Sequence, residues 1–80
     1  MSSSQLLHDL LAMLIGKERC RIMDIRVVFF HNHEQLAVIP LLPALDALRR
    51  GGVCKPNGDG TWRDANKVAL NIVEEFDDDK

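Results

Sequence analysis

Four of the five glycines in this chain fall between Gly51 and Gly60, within the stretch RRGGVCKPNGDGTWRD that runs from Arg49 to Asp64. No helix or central strand accommodates that density of glycine beside Pro56, since glycine loses the most backbone freedom on ordering and proline removes a donor. A preceding helix must end at Gly51-Gly52, in the left-handed conformation that glycine tolerates. Val53-Cys54-Lys55 and Thr61-Trp62-Arg63 then flank Pro56-Asn57-Gly58-Asp59-Gly60. Short strand-like runs around Asn-Gly and Asp-Gly predict a β-hairpin. Trp62 is one of only four aromatic residues. It is expected to leave the turn and pack on Leu45, Leu48 or the final helix, because a large aromatic is seldom left in water.

The rest of the chain is ordered around this boundary. Ser2, Ser3 and Ser4 offer N-cap oxygens, and Leu6, Leu7, Leu10, Leu11, Leu14 and Ile15 recur at helical spacing before Gly16. That pattern predicts a first helix with one buried stripe. Residues 21–30, RIMDIRVVFF, fit a helical stripe of Ile22, Ile25, Val28 and Phe29, although Val27 to Phe30 has the content of a buried strand;. They are read as a second helix, with the polar His31-Asn32-His33-Glu34 as the turn after it. Pro40 and Pro43 suit the first turn of a third helix, which should start near Ile39 or Pro40 and run to Arg50;. Asp64 caps a last helix carrying Ala65, Val68, Ala69, Ile72, Val73 and Phe76;.

This order of three helices, a glycine-rich hairpin and a C-terminal helix resembles the winged-helix family, a helix-turn-helix with a β-hairpin wing. The likeness is carried by LDALRRGGVCKPNGDGTWRD, in which Leu45, Leu48, Gly52 and Val53 stand where a third helix passes into a wing. The resemblance implies a mostly α fold with a small β-hairpin. It also implies a helix after the wing that serves dimerisation, here Asp64 to Phe76. The start of the third helix, Ala37 to Pro43, carries no group to read a base edge;. A member of this kind would hold duplex DNA by its phosphates.

Eighty residues form one domain, taken as residues 1–76, with residues 77–80 as an acidic tail;. A chain so short buries only roughly 60% of the surface its unfolded form exposes, so a second copy is a natural supplement. From Glu74 onward the local charge is −4, which leaves residues 1–73 at +2 against a whole-chain charge of −2. Two cysteines, Cys20 and Cys54, are too few for a disulfide scaffold and are expected as thiols in the cytoplasm;. The apolar run from Leu10 to Ile15 has no basic segment before it, so neither a signal peptide nor a membrane span is expected;.

Catalysis and cofactor binding find little support in these residues. His8, His31 and His33 with Cys20 or Cys54 lack zinc-site spacing;. Gly58-Asp59-Gly60 neither follows a long strand nor opens a helix with Lys-Ser/Thr, so it is a turn and not a phosphate loop;. The expected function is therefore that of a small nucleic-acid-binding regulatory protein that is not an enzyme and needs no cofactor. Arg49, Arg50, Lys55 and Arg63 would contact phosphate, with Asn57 at the wing tip;. The competing expectation is a protein-interaction module that grips a partner protein through Val38, Ile39, Leu41 and Leu42. In either case a homodimer through the C-terminal helix is expected, with no membrane association.

Overall fold

In the computed structural model, residues 3–16, 21–51 and 61–73 are described. Helix α1 (Ser3–Ile15) is followed, among the described residues, by a 3-10 turn at Ile22–Asp24 and strand β1 (Ile25–His31). Strand β2 (Glu34–Pro40), helix α2 (Leu41–Arg49), a second 3-10 turn at Thr61–Asp64 and strand β3 (Lys67–Ile72) follow. The strands form one antiparallel sheet in the order β2-β1-β3. Both helices lie against the same layer, α1 alongside β3 and α2 over β1 and β2.

The two outer helical expectations of the first fifty residues hold. In α1, Leu6 and Leu10 are buried, and Leu7, Met13 and Leu14 pack beside them. Helix α2 starts directly after Pro40, whose extended backbone forms its N-cap. It ends at Gly51, which takes a φ of 82° and donates its N–H to the Leu48 carbonyl at 3.0 Å. That is the left-handed stop the glycine pair predicts.

The winged-helix architecture does not form. There are two α-helices and a three-stranded sheet among the described residues, in place of three helices, a wing and a C-terminal helix. Residues 25–31 are the central strand, not a helix. Val27 and Phe29 are fully buried beneath the helices, and Val28 is buried on the opposite face. A strand buried on both faces loses its polar alternation, so its apolar run mimics a helical stripe. The polar turn does form at Asn32-His33, but it joins β1 to β2. Asn32 takes a φ of 57°, a conformation asparagine tolerates better than most residues;.

The last expected helix is also a strand. Lys67, Ala69 and Asn71 alternate with Val68, Leu70 and Ile72, and the whole of β3 pairs with β1 from Phe30↔Lys67 to Ile25↔Ile72. Helical spacing of Ala65, Val68 and Ile72 gives way here because β1 presents a second unpaired edge, and a strand satisfies it. The second arm of the expected wing is absent too. Thr61 to Asp64 is a 3-10 turn, and most of the glycine-rich segment, residues 52–60, lies outside the described residues, as do residues 74–80. Trp62 does join the core, though its ring partner is Phe29, with centroids 6.0 Å apart and planes within 10°. Its Nε1 is buried without a hydrogen-bond partner among the described residues.

Two details shape the sheet edges. β1 and β2 keep register from Arg26↔Pro40 to Phe29↔Ala37, then shift by one residue to Phe30↔Gln35. Leu36 is the extra residue, a β-bulge that turns its side chain into the core beside Ile39;. At the hairpin end, Asn66 clamps the turn. Its Oδ1 accepts from the Asn32 N–H at 2.8 Å, while its Nδ2 donates to Asn32 Oδ1 at 3.1 Å. His31 Nδ1 donates to the Asp64 carbonyl at 2.7 Å, which fixes the protonated nitrogen because a carbonyl only accepts;.

Candidate interaction surface

Among the described residues, four of the six exposed large apolar side chains lie on the segments where β1 begins and β2 passes into α2, the other two being Leu11 and Ile15 of α1. Val38 of β2 is 42% exposed and Leu42 of α2 is 59% exposed. The 3-10 turn before β1 adds Ile22 at 54% and Met23 at 68%. That turn packs beside α2, and Arg26 ties it down by donating from Nη1 to the Met23 carbonyl at 2.7 Å. Arg26 in turn stands opposite Pro40 in the sheet register. Ile22, Met23 and Leu42 flank the end of the sheet at an exposed Pro40, while Val38 is exposed on the helix-free face of β2.

Local geometry decides which of the expected residues face out. In a strand successive side chains alternate, so Val38 points away from the helices while Ile39 packs on the core;. In a helix neighbours are about 100° apart, so Leu41 is buried at 4% and Leu42 is not;. The expected set of Val38, Ile39, Leu41 and Leu42 is therefore split, two residues to the core and two to the surface. Ile22 and Met23 were missed because a helix at 21–30 assigns Ile22 to a buried stripe. An extended reading of the same residues would have exposed them.

The basic residues expected at a nucleic-acid surface are spread over different elements. Arg49 is exposed on the last turn of α2, and Arg63 is exposed on the 3-10 turn that lies against β2. Arg50 follows α2 and places Nη2 3.0 Å from Asp46 Oδ2, with both side chains largely exposed. Such a surface pair contributes at most about 1 kcal/mol. Lys55 and Asn57 lie outside the described residues. Elsewhere Arg21 pairs with Asp24 at 3.1 Å.

His31 and His33 separate at the hairpin. His31 is engaged with Asp64, and His33 borders an open cleft with Asn32, Asn66 and Lys67. Among the described residues no three His, Cys, Asp or Glu side chains come together at metal-binding range. Also among them, no helix is long and apolar enough to cross a membrane. Comparison with known proteins assigns no role to any of these residues: no family model, curated protein or solved structure matches the chain.

Proposed function

We propose that this chain is a protein-interaction module that receives an apolar segment of a partner protein on Ile22, Met23, Val38 and Leu42. The supporting observation is the exposure of all four, three of them (Ile22, Met23 and Leu42) on the turn and helix start that pack together where Arg26 bonds the Met23 carbonyl. Removing apolar surface from water releases about 25 cal/mol per Å², so such a cluster favours a partner that covers it. The half-buried Arg26 guanidinium at the rim would orient that partner through hydrogen bonds and contribute little net affinity;.

A photo-reactive side chain at position 42 tests the reading. It should cross-link to a discrete partner protein, and Met23→Asp should abolish the cross-link without changing the circular dichroism. The same group at Arg49, exposed on the same helix, is the control. Equal labelling from both positions would sink the proposal. Salt-sensitive retention of duplex DNA that depends on Arg49, Arg50 and Arg63 would return the function to nucleic-acid binding.

A further inference from the structure

The two outer strands of the sheet differ in what they offer another chain. In an antiparallel pair, residues alternately turn their backbone groups toward and away from the partner strand. The Val73 N–H donates to the Asp24 carbonyl at 2.8 Å. Stepping back by two, Asn71, Ala69 and Lys67 also turn toward β1, while Val68, Leu70 and Ile72 turn their amides and carbonyls outward. Among the described residues β3 pairs with β1 alone. It has no proline, no bulge and one charge, Lys67. By that measure it is an unprotected edge.

The sequence of β3 also fits itself. A two-fold axis through Leu70 sets Leu70 opposite Leu70 of a second copy and Val68 opposite Ile72, using all three outward-facing residues. Their side chains share the helix-side layer, so the apolar face continues from one copy into the next. On the other face Ala69 meets Asn71, and Lys67 meets Val73 rather than its own counterpart. No like charges oppose each other, which a parallel arrangement of two copies would not avoid. Beside this edge lies an open groove of about 440 Å³ lined by Met13, Gly16, Ala69 and Leu70. Gly16 leaves it room, since only the Met13 carbonyl lies within 4 Å of where its Cβ would stand, at 3.8 Å.

We propose that two copies of this chain pair antiparallel through β3, centred on Leu70, to make one six-stranded sheet, with Leu70 and Met13 of each copy filling the groove of the other. This contact uses the outer edge of β3, whose Val73 end bonds to Asp24 of the turn that carries Ile22 and Met23, and it does not rest on the function proposed for those residues.

Sedimentation velocity of the full chain should show a concentration-dependent dimer. Ala69→Lys, on the solvent face, should weaken self-association at least about tenfold by setting like charges diagonally across the new strand pair. Its circular dichroism should remain that of the parent. A cross-link provides the second measurement. In a Cys20→Ser, Cys54→Ser background, Leu70→Cys should oxidise to a covalent dimer, since paired strands bring opposing Cα atoms within disulfide range. Val38→Cys on β2 should not. A chain that stays monomeric throughout the accessible range overturns the proposal. So does a dimer that Leu42→Asp dissociates while Ala69→Lys leaves it intact, or one that cross-links through position 38 and not 70.

Discussion

Strands β2 and β3 flank the same central strand, yet only one of them is closed to further pairing. In β2, Pro40 falls where the backbone nitrogen would face outward, so the edge lacks a donor there;. Leu36 bulges the middle of the strand, and Glu34 charges its first position. Proline, bulge and charge are the devices by which sheet edges refuse new strands. β3 runs straight from Lys67 to Ile72 with Lys67 as its lone charge. A fold with one blunted edge and one regular edge is built to stop at a single added strand. Two regular edges would extend without limit.

The largest expected effect tests how differently the two strands tolerate a change of length. Deleting Ala69 moves Leu70 and Ile72 to the solvent face, because a one-residue slip reverses every side chain beyond it. Both side chains are half-buried, so their exposure costs about 0.75–1.5 kcal/mol each, a substantial share of the stability of a domain this small before the broken strand pairing is counted;. Urea denaturation should find the variant's midpoint well below the parent's. Deleting Leu36 from β2 should do far less. Phe29↔Ala37 and Phe30↔Gln35 already bracket it, so its removal yields a regular ladder in which Ile39 still faces the core. The cost should be about 1–1.5 kcal/mol, half the burial of a leucine that is itself half-buried;. A deletion of Leu36 as damaging as that of Ala69 would show that the bulge sets the register and is not an insertion into it.

Removing the blunting devices sharpens the same contrast. Pro40→Val with Glu34→Val restores an outward donor and removes the charge. It should turn a species that stops at two copies into larger assemblies, visible by light scattering. The double variant must keep its α2 signal in circular dichroism for the comparison to count, because Pro40 is also the N-cap of that helix.

What was legible in the sequence follows from how much each element depends on its neighbours. Helix α1 shows its stripe, and α2 announces both ends through Pro40 and Gly51. The turn at Asn32-His33 was plain from polarity. β1 was not, because burial on both faces erased the alternation that marks a strand. β3 was masked by chance, since Ala65, Val68 and Ile72 lie at spacings that serve a helix stripe as well as a strand. With both strands read as helices, Trp62 lost its partner Phe29, and the element order completed a winged-helix resemblance whose local likeness was confined to LDALRRGGVCKPNGDGTWRD. The same error hid Ile22 and Met23, while Val38 and Leu42 were found because the apolar run containing them was visible under either reading. The dimer expected through the last element is carried forward in a different form, as strand pairing.

The smallest effect separates packing from hydrogen bonding at the one aromatic contact that closes the hairpin end. Trp62 stacks on Phe29, a fully buried residue of the central strand, while its Nε1 is buried without a hydrogen-bond partner among the described residues. Truncation by Trp62→Ala removes the whole ring and should cost about 3–5 kcal/mol, enough to loosen both β1 and the turn clamped by Asn66. Trp62→Phe keeps a ring over Phe29 and deletes the buried N–H. An unsatisfied buried donor costs about 1–3 kcal/mol, which opposes the loss from the smaller aromatic surface. The two contributions have similar size and opposite sign, so Trp62→Phe should melt within a few degrees of the parent. If it instead falls as far as Trp62→Ala, the indole nitrogen has a partner in solution, and the contact is held by that hydrogen bond as well as by stacking. If it melts with the parent, Trp62 serves the core by its shape, through the ring contact with Phe29 of β1.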